Sequence, residues 1–415
     1  MSELLVWWDA TLVGVLEERR GSLRFTYAGF DSPMISVAMP PATRPYGDAV
    51  ARPFFAGLLP EGENRRMIAY DLGLGSHGGT DLELLAALGR ECAGALVILP
   101  RGSSPRTEGP VAAPTPLSEG DIARKLRELP VSPLGVDDDV RVSLPGVQPK
   151  LLLTRHRDGS WWLPTLDAPS THILKPPSAN FPDSVPNEVF CMALAATVGL
   201  RAAPTDLVHF EDIPTLVSSR YDRSWGRDGE LRRLHQEDGC QALSIDATNP
   251  RAKYQQGTKG PSLARIARTL DAWASSTART ELLDHVVLNV IVGNADFHGK
   301  NISFLHDGRG VQLAPIYDVM STVEVRVLSG QIVSSTLGMS MGSATSIVDV
   351  TVEDVLDEAT AWGLPRRTAS ERIAQLLDRM PEAIAAVRQQ VPAVPAERVA
   401  VIAERATQFG AALGR

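Results

Sequence analysis

At 415 residues, 44% of them apolar and 22% charged, the chain has ordinary globular composition and enough length for two or three packed domains. Its net charge of −8 argues against broad electrostatic attachment to nucleic acid or anionic membrane, and no apolar run approaches the roughly 20 residues of a membrane-spanning helix. Cys92, Cys191 and Cys240 are too widely spaced to suggest a disulfide framework or a zinc site, and the start carries Glu3 and Asp9 in place of a basic leader, so the expected compartment is the cytoplasm.

The chain opens with short apolar runs separated by turn signals: Leu4 to Trp8, Val13 to Leu16 and Leu23 to Tyr27 predict small strands. Phe54 to Leu59 and Arg65 to Leu72, on either side of Pro60-Glu61-Gly62, predict helices, as does Asp81 to Leu88 with its leucines at helical spacing. Between Arg101 and Glu119 the sequence is rich in Gly, Ser and Pro, which reads as a connection between domains. Ser118 and Asp121 form a capping-box pattern ahead of a short helix ending near Leu129.

Val140 to Leu144, Leu151 to Thr154, Ser160 to Leu163 and Thr171 to Lys175 predict antiparallel strands, broken by turns at Pro145-Gly146 and Arg157-Asp158-Gly159. Asn187 to Leu200 predicts a helix closed by Gly199, and Leu207 to Tyr221 returns to strand-like sequence. From about Leu234 the pattern is mainly helical, with one interruption, a predicted hairpin of Ile302 to Leu305 and Val311 to Leu313. Helix starts are expected at Thr351 and Ser370, and a final amphipathic stretch runs from Ala396 to Leu413.

The chemically richest segment surrounds that hairpin. Asp296 stands five residues before Asn301 at the end of a predicted helix, and Asp318 follows the hairpin. Phosphoryl transfer from ATP needs a carboxylate to handle the nucleophile's hydroxyl proton and oxygen donors to hold the magnesium ions that bridge the phosphates. Asp and Asn five apart is weak by itself, and a solvated loop explains it at least as well; the helix, the hairpin and the second Asp carry the functional reading. In the same loop Lys300 is a candidate to neutralise the transferred phosphate. His298 reads as a residue that fixes the loop by hydrogen bonding, since its neighbours are oxygen donors and no second His lies at zinc spacing.

Upstream, Lys175 closes an apolar strand from which it could reach the α and β phosphates, with Glu188 as its ion-pair partner; an edge lysine reaching for solvent is the alternative. The stretch from Ser143 to Lys150 could cover phosphates with the backbone N–H groups of Gly146, Val147 and Gln148 while Lys150 adds charge. It is neither a Walker loop nor a three-glycine kinase loop, and a plain β-turn is the alternative.

Read together, these segments resemble the HipA family, the serine/threonine kinase toxins of bacterial type II toxin–antitoxin modules. The likeness runs from Phe54-Phe-Ala-Gly-Leu-Leu-Pro-Glu-Gly and Ala86-Ala-Leu-Gly-Arg-Glu-Cys-Ala-Gly-Ala through Ser143 to Lys150 and Thr171 to Lys175. It continues with Asn187-Glu188, Arg220-Tyr-Asp-Arg, His235-Gln-Glu-Asp-Gly-Cys-Gln and the segment around Asp296. The resemblance implies an α+β, two-lobed protein-kinase-like fold. An N-terminal accessory module would cover 1–110, a mixed β lobe 111–222 and a mainly helical C-terminal lobe 223–415, with ATP held between the lobes.

By motif matching, the resemblance makes Asp296 the catalytic base, Asn301 and Asp318 the magnesium ligands, Lys175 an ATP contact, and Ser219, Arg220 and Tyr221 the hinge that carries adenine. Ser143 becomes the candidate autophosphorylation site, where about two added negative charges would repel ATP; Pro145 and Pro149 depart from the family by stiffening that loop. His235, Gln236 and Asp238 match a family signature and are expected to support the lobe interface. The implied cofactors are ATP and Mg2+. The implied partners are a small helix-turn-helix antitoxin (HipB-like), DNA only indirectly through it, no membrane, and a protein substrate such as an aminoacyl-tRNA synthetase. A small-molecule kinase on a similar fold and a catalytically silent corepressor partner of an antitoxin remain as alternatives.

Overall fold

The computed structural model describes residues 3–74, 79–105, 116–130, 144–146, 148–165, 168–227, 229–255, 257–306, 310–323 and 333–414. In the first part, β1 (Glu3–Trp8), β2 (Thr11–Arg19), β3 (Ser22–Tyr27) and β4 (Leu96–Pro100) form an antiparallel sheet in the order β3-β2-β1-β4. Leu4, Val6, Leu16, Leu23 and Phe25 are buried against α1 (Asp48–Ala56), α2 (Gly62–Asp71) and α3 (Asp81–Leu88), with Phe54 and Phe55 filling the space between. Removing such side chains from water is what holds a module of this size together. Thr80 and Glu83 close a reciprocal capping box at the start of α3.

The second part is a five-stranded sheet in the order β6-β5-β7-β9-β8, built from β5 (Leu151–Arg155), β6 (Trp161–Trp162), β7 (His172–Lys175), β8 (Thr205–Phe210) and β9 (Ile213–Ser219). On one side lies α4 (Glu119–Glu128), whose Ile122, Ala123 and Leu126 pack on Leu151, Leu153, Leu174 and Val217. On the other lies α5 (Ser184–Thr197), which joins Leu216 to the large helical core. Covered on both faces, the central strands are apolar without strict alternation.

Beyond the sheet, β10 (Arg223–Trp225) and β11 (Leu231–Arg233) form a short hairpin, and β12 (His235–Asp238) leads into α6 (Gly239–Ala242). The helices α7 (Leu263–Trp273), α8 (Ala278–Val292), α9 (Val352–Ala361), α10 (Arg366–Gln390) and α11 (Ala396–Ala412) share a single core. β12 pairs with β13 (Ser303–His306), which pairs with β14 (Val311–Leu313), so a small sheet frames the loop that follows α8. At the end of α8 the chain reverses at Gly293, which has φ +73°; a Cβ there would also come within 2.6 Å of Val323 Cγ2.

Several sequence expectations need correction. The expected helix start at Ser370 lies inside α10, which begins at Arg366 directly after Pro365, a residue that fits helix starts and so outweighs the capping pattern. The helical lobe has a second interruption, the hairpin of β15 (Thr336–Met341) and β16 (Ala344–Ser346). The strand-like run Leu207 to Tyr221 is a hairpin turning at Glu211, which has φ +55°. The expected boundary at residue 110 and most of Val140 to Leu144 lie outside the described residues.

Candidate active site

A cleft of about 860 Å³ opens between the five-stranded sheet and the helical lobe, with room for a nucleotide-sized ligand. From the sheet comes Lys175, whose Nζ donates to Glu188 Oε1 at 2.8 Å and Asp318 Oδ1 at 2.6 Å. Burial alone would lower the pKa of Lys175, but the Asp318 and Glu188 carboxylates overcome it and hold the ammonium well above its usual range. In turn the Lys175 charge holds Asp318 well below the usual carboxylate range, whereas burial pushes Glu188 up. Asp318 sits in the left-handed region, at φ +58°, a strained backbone for a residue with a side chain and one that cross-bonding of this kind sustains.

From the helical lobe comes the loop after α8. Asn289, buried in the last turns of α8, accepts a 2.7 Å bond from Asn294 Nδ2, and Asn294 Oδ1 accepts the Asp296 N–H at 3.0 Å. This relay shapes the loop from inside, while the Asp296 carboxylate stays open to the cleft. Its Oδ1 accepts from the Tyr254 hydroxyl at 2.8 Å, and desolvation by the cleft walls raises its pKa. Two residues further, the His298 N–H donates to Asn301 Oδ1 at 3.1 Å, and Asn301 Nδ2 donates to Asp318 Oδ2 at 3.1 Å. Burial lowers the His298 imidazole to about 3, so it is neutral, and its Nδ1 lacks a hydrogen-bond partner among the described residues. Asn301 and Asp318 thus stand side by side, an amide and a carboxylate of the kinds that hold magnesium together with phosphates and water, with the amide nitrogen facing the carboxylate and the amide oxygen on the His298 N–H.

Along another wall of the cleft, the Lys150 Nζ donates to the carbonyl of Pro145 at 2.7 Å, and Gln148 Nε2 to the carbonyl of Pro176 at 3.2 Å. Gly146 adopts φ +122° beside them. Burial, reinforced by the Lys175 charge, pushes the Lys150 amine down to about 8. Ser143 and Val147 lie outside the described residues. Lys300 does border the cleft, yet it is tied to Asp238 Oδ2 at 2.6 Å, with Glu61 at 3.7 Å, and these partners keep it charged.

Ser219, Arg220 and Tyr221, the residues expected to form a hinge, all border the cleft. The N–H groups of Ser219 and Arg220 are bonded to the carbonyls of Pro204 and Thr171, each at 2.8 Å. The buried Arg220 guanidinium grips Asp222 through two bonds of 2.9 and 2.7 Å and Glu91 at 2.8 Å. Tyr221 bonds Gln236 through its hydroxyl and packs at 5.5 Å from the Tyr317 ring. Gln236 also donates to Asp222 Oδ2 at 3.0 Å, and Asp238 caps α6 while accepting from Lys300. His235, expected to support the lobe interface, is fully buried. It faces the N-terminal module, 4.7 Å from the Trp8 ring and 2.7 Å from the Ile35 carbonyl, because a buried neutral imidazole needs both an apolar wall and a polar partner.

The structure thus brings Lys175, Glu188, Asp296, Asn301 and Asp318 to one cleft. It also exposes residues that sequence reasoning missed. Tyr254 and Lys253 belong to a segment without periodicity, and Glu61 and Glu91 come from the N-terminal module, where nothing in the local pattern points to a distant cleft. Asn294 was concealed because an amide that shapes a loop looks like any loop residue.

The family described as HipA-like C-terminal domain matches residues 142–384, and the family described as HipA N-terminal domain matches residues 4–99. The chain is 38% identical over 395 residues to the protein Y4mE of Sinorhizobium fredii, covering 92% of this chain and 91% of that one. It is 28% identical over 372 residues to the serine/threonine-protein kinase toxin HipA of Shewanella oneidensis, covering 86% and 81%. The fold matches a chain in the solved Shewanella oneidensis complex of HipA, HipB and operator DNA with a TM-score of 0.80 at 24% identity, covering 99% of this chain and 97% of that one.

Proposed function

Because the chain belongs to the HipA family, we propose that it is an ATP- and magnesium-dependent serine/threonine protein kinase acting as the toxin of a type II toxin–antitoxin module. The observation that carries the proposal is the convergence of Lys175, Glu188, Asp318, Asn301 and Asp296 in one cleft, since this is the set phosphoryl transfer requires.

In this reading Lys175, held by Glu188, meets the α and β phosphates and orients the chain of phosphates toward Asp296. Bound magnesium would supply electrostatic relief of the phosphate charge, and Asn301 and Asp318 would hold it. Asp296 accepts the proton of the attacking serine or threonine hydroxyl as its oxygen bonds to the γ-phosphorus and the bond to the bridging oxygen breaks, releasing ADP. The Tyr254 hydroxyl and the Asn294 relay fix the orientation of that carboxylate.

The remaining parts of the proposal rest on family membership. The Ser143 to Lys150 stretch covers the phosphates, and phosphorylation of Ser143 silences the site. A helix-turn-helix antitoxin binds the chain and links it to DNA, as HipB and operator DNA accompany HipA in the matched complex. The substrate is a cytoplasmic protein such as an aminoacyl-tRNA synthetase. The division at residues 110 and 222 stays part of the proposal: the two matched family regions, 4–99 and 142–384, lie on either side of the first boundary and the second falls inside the longer match, while the descriptions of relatives as kinases favour this reading over a silent corepressor. Phosphoproteomics after brief expression of the parent and of Asp296→Gln tests it: phosphoserine or phosphothreonine sites on protein that appear only with the parent support it, and identical site lists refute it.

A further inference from the structure

Four lysines border the cleft, and three of them are committed. Lys175 donates to Glu188 and Asp318, Lys300 to Asp238, and Lys150 to the Pro145 carbonyl. Lys253 differs: its ammonium donates no hydrogen bond among the described residues, and its nearest charged partner is Glu61 Oε2 at a loose 3.6 Å.

The backbone around Lys253 is nevertheless fixed to the catalytic loop. Its carbonyl accepts the Gly299 N–H at 3.0 Å, the adjacent Tyr254 hydroxyl donates to Asp296, and the Tyr254 ring packs edge-on at 5.2 Å from His298. Gln255 is bonded to Gly338 and Ser340 on the far wall. The Lys253 charge is therefore carried on a rigid support at the side of the cleft where Asp296 stands.

Glu61 is the second observation. It lies at the start of α2 in the N-terminal module, is only 7% exposed, and has both carboxylate oxygens buried without a hydrogen bond among the described residues. It sits between Lys253 at 3.6 Å and Lys300 at 3.7 Å. The turn that carries it docks on the same loop, since the Gly57 carbonyl accepts from Lys300 and the Phe54 carbonyl from Gln241. A buried carboxylate spaced between two ammonium groups, bonded to neither, fixes their separation while leaving their protons for another acceptor.

We propose that Lys253 is a further catalytic residue, the cation that meets the transferred phosphoryl group beside Asp296, and that Glu61 of the N-terminal module is its positioning residue. This rests on the kinase reading above and deepens it. As the acceptor oxygen bonds to the γ-phosphorus and the bridging oxygen departs with ADP, charge spreads over the equatorial phosphoryl oxygens, where a preorganised ammonium is most effective. The N-terminal module then completes the cleft rather than decorating it.

The test uses the full chain with magnesium and ATP labelled at the γ-phosphate, reading label transferred to the chain itself and to protein of a bacterial extract at varied ATP. Lys253→Met is expected to lower kcat by about a hundredfold with ADP binding and the KM for ATP within about threefold of the parent, and Lys253→Arg to restore about tenfold of that loss. Glu61→Gln should lower kcat by about tenfold, and in the Lys253→Met background should add no further loss. Lys253→Met with parental kcat, or Glu61→Gln and Lys253→Met effects that multiply, overturns the proposal. Loss of ADP binding in both Lys253 variants overturns it too, since the residue would then be structural. If the parent transfers label, Asp296→Gln does not and Lys253→Met does, the inference alone fails; a parent with no transfer overturns the kinase reading along with it.

Discussion

Lys175 Nζ and Asp318 Oδ1 lie 2.6 Å apart, although 143 residues separate them in the chain. Lys175 ends a strand of the sheet and Asp318 follows the hairpin of the helical lobe, so this one contact ties the two walls of the cleft together. Replacing Lys175 by Met leaves Glu188 buried without its cation and Asp318 without the charge that lowers its pKa. A loss of about a hundredfold or more in kcat/KM is expected, together with weaker ADP binding by calorimetry. Parental ADP affinity in Lys175→Met would count against its role at the phosphates.

Lys150 predicts a pH dependence. With its amine at about 8, the group is charged below that value and neutral above it. Affinity for the polyanionic nucleotide should therefore fall as the pH rises through about 8, and a bound phosphate would move the midpoint upward by favouring the charged form. In Lys150→Met that alkaline decline should disappear. An ADP titration series from pH 7 to 9.5 on both proteins checks it.

Tyr254 donates to a carboxylate whose pKa is raised by desolvation and lowered by that same hydroxyl bond. Removing the hydroxyl in Tyr254→Phe withdraws a group that favours the charged carboxylate, so the Asp296 pKa should rise further. Since the base acts deprotonated, the acid limb of the kcat profile should shift to higher pH, with kcat at its plateau reduced by about tenfold or less. An acid limb that stays in place would show that Asp296 does not set it.

The N-terminal module is joined to the hinge by buried charge. Glu91 Oε1 accepts from Arg220 at 2.8 Å and Arg223 at 3.0 Å, and Asp222 Oδ2 pairs with the same two guanidinium groups at 2.7 and 3.0 Å. At the same seam the Gly94 N–H donates to Asp222, and Gly94, at φ +80°, has no room for a Cβ beside His235 and Gln236. Glu91→Ala takes a shared carboxylate from three buried arginine side chains, Arg220, Arg223 and Arg233, and should cost about 3–5 kcal/mol by chemical denaturation. It should also raise the KM for ATP, because the hinge is built on Arg220. A variant with parental stability would mean that water replaces the lost carboxylate.

Much of this was legible in the sequence because it is locally encoded. Short apolar runs between turn signals set β1 to β3, leucine spacing set α3, and the capping signals at Ser118/Asp121 and Thr351 set α4 and α9. The Asp296, Asn301 and Asp318 cluster was readable because spacing within one helix–hairpin unit survives folding. What stayed hidden depends on long-range approach: Glu61 reaching Lys253 and Glu91 reaching Arg220 are set by how modules dock, which no local pattern encodes. The β15–β16 hairpin was missed because its six-residue first strand, Thr336–Met341, contains Gly338 and two methionines, a composition without a strand signature.

The most direct test of the central claim is transfer of γ-labelled phosphate from magnesium ATP to protein by the purified chain, compared with Asp296→Gln and Asp318→Asn. The account predicts label on serine or threonine with the parent, a fall of at least about a hundredfold in both variants, and loss of the parent's activity on magnesium chelation. Equal labelling by the parent and both variants, or transfer that persists without magnesium, would contradict it.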